Sequence, residues 1–316
     1  PLRLVNLNPL HLLSGVPASF GARVAGAGSS ELIASLDIAS HLRAGLSGAE
    51  RVLIDGETWR QALALRYGLG EGWELLVDVP AVSHSAGAFD GFIREWHDAF
   101  GLPQGGRDLA PRDRLALLYG DGTATRFDID RDVRAIGDAS LGVGYALPSS
   151  PFPGDGAVLR GMVKLPTGNE DRLAGSGGWS ASAWVETSGA WPGSAVSRRW
   201  LYAATLGVLA GEAPRALSAV GGEFMVFGRF GVTWRALEDL DLTVQVDAHS
   251  SPYGASAVSP LSDPALVLGM GGTLRLTERV ALEVAVTEDD GAWHAAPDIG
   301  LHVAVRWRLR AGSRRE

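Results

Sequence analysis

The stretch DLTVQVDAHSS, residues 241 to 251, alternates without interruption. Leu242, Val244, Val246 and Ala248 leave one side of an extended chain, and Asp241, Thr243, Gln245, Asp247, His249 and Ser251 leave the other. The same period of two, bounded by turn residues, recurs near 31–42, 57–69, 72–82, 137–147, 156–166, 178–187, 199–209, 222–236, 240–250, 264–276, 279–288 and 298–309, which predicts twelve strands. Their connections alternate in length. GLGEG (68–72), EDLD (238–241) and TER (277–279) are tight turns, whereas 83–112, 167–177, 251–263 and 289–297 are long and polar. Short turns on one rim and long loops on the other predict an all-β fold, a transmembrane up-and-down antiparallel β-barrel over residues 31–310. A hairpin about Asp121 and Gly122 in RLALLYGDGTATRFDID (114–130) raises the count to fourteen if both arms join the wall, although each is short for a crossing.

The two faces differ in chemistry. Ile299, Leu301, Val303, Val305, Trp307 and Leu309 share a face free of charge, as do Val280, Leu282, Val284 and Val286. In a transmembrane barrel that face meets lipid and the polar face lines the lumen. The lumen-lining set read this way is Asp37, His41, Arg60, Arg66, Glu74, Asp78, Arg160, Lys164, Glu186, Arg229, Arg235, Asp247, His249, Arg275, Glu283, His302 and Arg306. Counted with Asp138, Asp241, Asp289 and Arg308, the acids and bases balance. A near-neutral lumen with charges placed to pair across it points to a narrow, partly filled pore. Aromatic residues collect toward strand ends: Tyr67, Trp73, Tyr145, Trp234 and Trp307 near the short-turn rim, and Trp59, Trp179 and Phe224 near the other. Amphipathic rings settle where hydrocarbon meets water, so two girdles fit a membrane barrel.

Composition agrees. The 316 residues include 42 glycines, no cysteine and 20% charged residues, which suits closely packed strands and excludes disulfide or thiolate chemistry. A formal net charge of -8 opposes a nucleic-acid partner. No run of apolar residues is long enough for a helical span, whereas a barrel strand needs only about 9 to 11 alternating residues. The chain begins at Pro1 rather than Met, as expected if a secretory signal has been removed.

The stretches NLNPLHLLSGVP (6–17), LIDGETWRQALALRYGLGEGWEL (53–75), FIREWHDAFGLPQGGR (92–107), GDASLGVGYAL (137–147), LRGMVKLPTGNEDRLAGSG (159–177), VDAHSSPY (246–253) and the closing HVAVRWRL resemble the bacterial DUF3187 family of outer-membrane proteins of unknown function. The resemblance implies an outer-membrane barrel and brings no catalytic or binding residues. The polar tail AGSRRE, residues 311–316, departs from barrels that end on an aromatic residue.

Candidate chemistry is sparse. Asp247, His249 and Ser251 leave one strand face and suggest a hydrolase triad, but neighbours on that face are about 6.6 to 7 Å apart, too far for direct proton transfer. A lumenal lining is the better reading. Within 83–112, Phe89, Phe92, Ile93, Trp96 and Phe100 recur at helical spacing, which predicts a helical external loop. His84 and His97 do not form a metal-ligand pattern, and no cofactor is expected. Glu170 with Asp171, and Glu288 to Asp290, are acidic loop clusters read as solvated. Residues 1–30 are apolar yet lack alternation, so they are expected to plug the barrel from its periplasmic side. The expected function is a narrow outer-membrane channel or passive transporter for a small solute, in contact with outer-membrane lipid and lipopolysaccharide. The alternative is a non-transporting barrel that modifies lipid or serves a partner protein as a scaffold.

Overall fold

The computed structural model describes residues 1–87, 113–148, 156–191, 199–289 and 293–309. The alternation in sequence becomes an alternation in exposure. Along β12 (Leu240–His249) Thr243 and Gln245 are buried, while Leu242 and Val244 are exposed at 40% and 51%. Exposed apolar side chains such as Leu63, Leu206, Phe230, Met270 and Val305 form the outer surface, as a lipid-facing band requires.

Fifteen strands occur among the described residues: β1 (Ser30–Ser47), β2 (Glu50–Gly70), β3 (Trp73–Ser85), β4 (Ala116–Asp121), β5 (Thr125–Ile129), β6 (Val133–Ile136), β7 (Ser140–Ala146), β8 (Gly156–Lys164), β9 (Ser180–Ala190), β10 (Trp200–Gly211), β11 (Phe224–Arg235), β12, β13 (Ala265–Arg275), β14 (Val280–Asp289) and β15 (Ile299–Leu309). Twelve of them close into one antiparallel ring, in which β3 pairs with β7 and β15 returns to β1 with Ser30 opposite Leu309. Closure leaves the ring no free edge. The remaining three stand outside it. β4 continues on the far half of β2 (Glu50–Asp55), β5 pairs with β4, and β6 takes Ala81–His84 of β3 where β7 has ended.

The twelve-strand barrel of the sequence is thus present, with two differences. The segment 114–130 does form a hairpin, but its arms pair beyond the wall instead of within it, so the count stays at twelve. β1 and β2 also run further than their alternation indicated, meeting in a tight turn between Ser47 and Glu50. Gly45, Gly48 and Gly56 interrupt the pattern there, and the long β1–β2 ladder carries the strands through them. The helical stripe Phe89 to Phe100 and the tail 311–316 lie outside the described residues.

Aromatic rings gather at the short-turn rim. Trp73 and Tyr145 have centroids 4.7 Å apart and Trp200 stacks on Trp234 at 6.2 Å, both pairs on neighbouring strands. Trp307, half exposed, shares that rim, while Trp179 and Phe224 lie at the opposite one.

Candidate functional site in the barrel lumen

Residues 1–29 run inside the ring as a loop with two limbs. Pro1 lies at the short-turn mouth with Arg275, Arg306 and Arg308 around a cavity of about 220 Å³. The first limb follows β12 to β14. Leu2 exchanges two hydrogen bonds with the Gln245 side chain, at 2.9 and 3.1 Å. The Arg3 amide donates to Glu283 Oε1 at 2.6 Å, its guanidinium pairs with Asp78, and Leu4 packs on Gly269. Asn6 Nδ2 donates to His249 Nε2 at 3.0 Å.

The apex lies at the long-loop end. Asn8 Oδ1 accepts from the Leu10 amide at 3.0 Å, a 3-10 turn spans Leu12–Ser14, and Gly15 closes it with φ 79°, a conformation that favours glycine. Leu10 and Leu13 join a buried apolar cluster with Ile54, Leu117, Tyr119, Ile129, Leu173, Leu217, Tyr253 and Leu261, drawn from β2, the outer hairpin and the long connections. Tyr253 donates to the Leu10 carbonyl at 2.6 Å, and burial raises its phenol pKa.

The second limb descends past β8 to β11. The Pro17 carbonyl accepts from Arg229, Ser19 Oγ donates to Glu186 at 2.5 Å, the Phe20 amide donates to the same carboxylate at 3.2 Å, and the Gly21 carbonyl accepts from Arg160 at 2.7 Å. Ala25 donates to Glu74 Oε2 at 2.9 Å. Gly28 and Ser29 then bond Gly68, where any Cβ would strike the Gly26 carbonyl, so glycine alone permits this approach. A segment with little regular structure must find partners for its amides and carbonyls, and lumenal side chains supply many of them.

The wall carries its own charge lattice. Arg66 bridges Glu31 at 2.8 Å and Glu74 at 2.9 Å, and Arg160 joins Glu74 at 2.8 Å to Glu186. Arg60 reaches Asp78 at 2.7 Å and Asp37 at 3.3 Å. His302 lies between Asp37 at 2.5 Å and Glu283 at 3.0 Å, and Glu283 also accepts from Arg306 at 2.9 Å. Arg229 holds Asp247 at 2.9 Å, and Lys164 holds Asp138 at 2.7 Å with Ser176 beside it. His41, Thr58 and His84 form a polar chain with contacts of 3.0 Å.

The structure therefore buries most of the sequence-derived set on the inner face, in several separate paired groups. Arg235 and Arg275 stand apart, 46% and 40% exposed at the short-turn mouth, where both face Asp241. The triad geometry is not formed. Asp247 is engaged by Arg229 and Gln245. The His249 lone pair accepts from Asn6 while Nδ1 faces the Ser250 carbonyl, and Ser251, beyond the strand end, donates to Leu261 at 2.5 Å. One member of each acidic cluster is paired: Asp289 with Arg43, and Glu170 with Arg215 at 2.9 Å. Among the described residues no three His, Asp or Glu side chains are grouped to hold a metal.

Sequence reasoning missed Arg3, Glu31, Asn6 and Ser19, and it placed Gln245 on the inner face without a role. A lone arginine inside PLRLVNLNPL was the available signal, since a charge flanked by leucines in an apolar segment needs a buried counter-ion.

No curated protein matches the chain. Among solved structures, an outer membrane channel from Pseudomonas putida F1 superposes with a TM-score of 0.58 at 11% identity, over 92% of this chain and 99% of that one. The NanC porin gives a TM-score of 0.45 at 7% identity, over 89% and 99% of the two chains. The first likeness establishes the fold, a closed antiparallel β-barrel like that of the channel. A family model, described as a protein of unknown function, matches residues 1–309, so the chain belongs to the DUF3187 family.

Proposed function

We propose that the protein is a gated passive channel of the bacterial outer membrane, with residues 1–29 as the closure and a small solute as cargo. One observation carries the reading: the wall's charges are paired among themselves without the closing segment. Arg60, Arg66, Arg160, Arg229 and Arg306 each have a carboxylate on the wall. Withdrawing the segment removes hydrogen bonds that water can replace, and no wall arginine is left buried without a partner. The segment adds one isolated bridge, Ala27 to Gly68, and no strand, so the ring closes without it. In this reading the short-turn rim faces the periplasm and the band of exposed apolar residues meets lipid, with lipopolysaccharide around the long-loop rim.

The test is reconstitution in planar bilayers. The full chain is expected to open rarely and briefly, and the chain lacking residues 1–25 to conduct steadily. The chain has no cysteine, so a Leu4→Cys, Gly269→Cys pair gives a clean lock, expected to hold the pore shut until a reductant is added. Absence of flux in every form would overturn the channel.

A further inference from the structure

Two histidines meet where the apex of the N-terminal segment touches the wall. His11, which leads into the 3-10 turn, and His249, the last residue of β12, are both buried, with ring centroids 5.5 Å apart. Hydrogen bonds fix the proton on each ring. Asn6 Oδ1 accepts from the Asn8 amide at 2.9 Å and Nδ2 donates to the Ala295 carbonyl at 3.0 Å, so the Asn6 amide cannot turn over without losing both. The same Nδ2 donates to His249 Nε2 at 3.0 Å, while His249 Nδ1 donates to the Ser250 carbonyl at 3.0 Å. His249 Nε2 is therefore bare, and a proton there would set two donors against each other across the joint between segment and wall. In His11, Nε2 donates to the Pro260 carbonyl at 3.1 Å, and among the described residues the buried Nδ1 has no partner to receive a second proton. The surroundings oppose charge. Arg229 on β11 is paired with Asp247 on β12, Arg60 on β2 with Asp78 on β3, and Lys164 on β8 with Asp138; all six line the adjoining cavity. In the neighbouring loops Tyr253 sets its ring edge-on to His11, and Asp263 pairs with His294 at 3.0 Å. Each of these carboxylates is already held, so none is free to balance a charge on either ring.

We infer that His11 and His249 form an acid-sensitive latch: neutral rings hold the N-terminal segment seated, and a proton on either one favours its release. With the segment withdrawn both rings face lumenal water and titrate near the ordinary histidine value of about 6.5. While the segment is seated, burial, with His249 beside it, holds the His11 pKa well below that value. A group whose pKa is depressed in the seated state stabilises that state fully at high pH, and the contribution is lost as pH falls below the released-state value. Each histidine thus shifts the balance toward release about ten-fold from pH 7.5 to 5.5, and the two together about a hundred-fold. The latch concerns only the seating of the segment; that its release opens a pore rests on the channel reading.

Hydrogen exchange of the full chain in lipid nanodiscs at pH 7.5 and 5.5 tests it, with the amides of residues 2–15 referenced to those of β13 to remove the intrinsic effect of pH. Protection of the segment is expected to fall about a hundred-fold on acidification while the wall keeps its own. Glutamine does not titrate, and it offers an oxygen to Asn6 in place of His249 and an amide to the Pro260 carbonyl in place of His11. His249→Gln and His11→Gln should each leave about a ten-fold response, and the double variant none. Should the double variant fail to fold, as judged by thermal unfolding, the two single variants decide. Equal protection at both pH values would overturn the latch, and so would a full response in the variants, which would assign it to His41, His84 or His302. Bilayer recordings of the same proteins read the channel separately. Acid-induced loss of protection without current supports the latch and counts against the channel, whereas unchanged protection overturns the latch whatever the current.

Discussion

Arg160 is 1% exposed, with Glu186 on the neighbouring β9 and Glu74 two strands away on β3 as partners. Alternation alone placed all three on the inner face; which acid met which base depended on strand register. If Arg160 becomes Met, Glu74 keeps Arg66 but Glu186 keeps only Ser19 and the Phe20 amide among its hydrogen bonds. Removing one partner of a buried pair typically costs about 3–5 kcal/mol, because the stranded charge remains. Urea titration of the barrel in lipid vesicles should show that loss for Arg160→Met. Adding Glu186→Gln should recover most of it, whereas no recovery would mean that packing against Phe20 matters more than charge.

At the scale of elements the hairpin β4–β5 is instructive. Asp121 accepts from the Thr123 and Ala124 amides at 2.9 and 3.0 Å, and Gly122 takes φ 88°, so the turn was written in the residues DGTA. Its position was not. Leu117, Tyr119 and Ile129 project from it into the cluster that holds Leu10 and Leu13, so the hairpin stabilises the apex of the segment. Replacing residues 116–129 by a short Gly-Ser link should leave the ring folded, because β2 and β3 pair directly. It should also raise hydrogen exchange of the amides of residues 10–15 by an order of magnitude or more. Unchanged protection there would show that the cluster's other members suffice.

For the molecule as a whole, charge balance sets what an open pore would prefer. Arg3 is the segment's cation at Asp78 and its amide serves Glu283. Once it leaves, the lattice of Glu31, Asp37, Glu74, Asp78, Asp138, Glu186, Asp247 and Glu283 outnumbers its arginines and Lys164. The truncated channel should therefore show a weak cation preference in a potassium chloride gradient, fading at high salt as the screening length shortens. An anion-shifted reversal potential would show that the mouth arginines, Arg235 and Arg275, dominate instead.

The sequence by itself determined the barrel, its twelve wall strands and the face each side chain takes. A strand between lipid and a polar interior must carry two chemically distinct sides, and that constraint is local, visible in Leu242 to His249. Tertiary structure decided what fills the interior. Residues 1–29 have no period to read, because their amides and carbonyls are met by Glu74, Glu186, Gln245 and Arg229 from across the barrel instead of by neighbours along the chain. It also decided the fate of Asp247, His249 and Ser251, whose spacing allowed a triad until Arg229, Asn6 and Leu261 took their polar atoms. Contacts between residues hundreds of positions apart leave no mark on local pattern; they follow from register and closure.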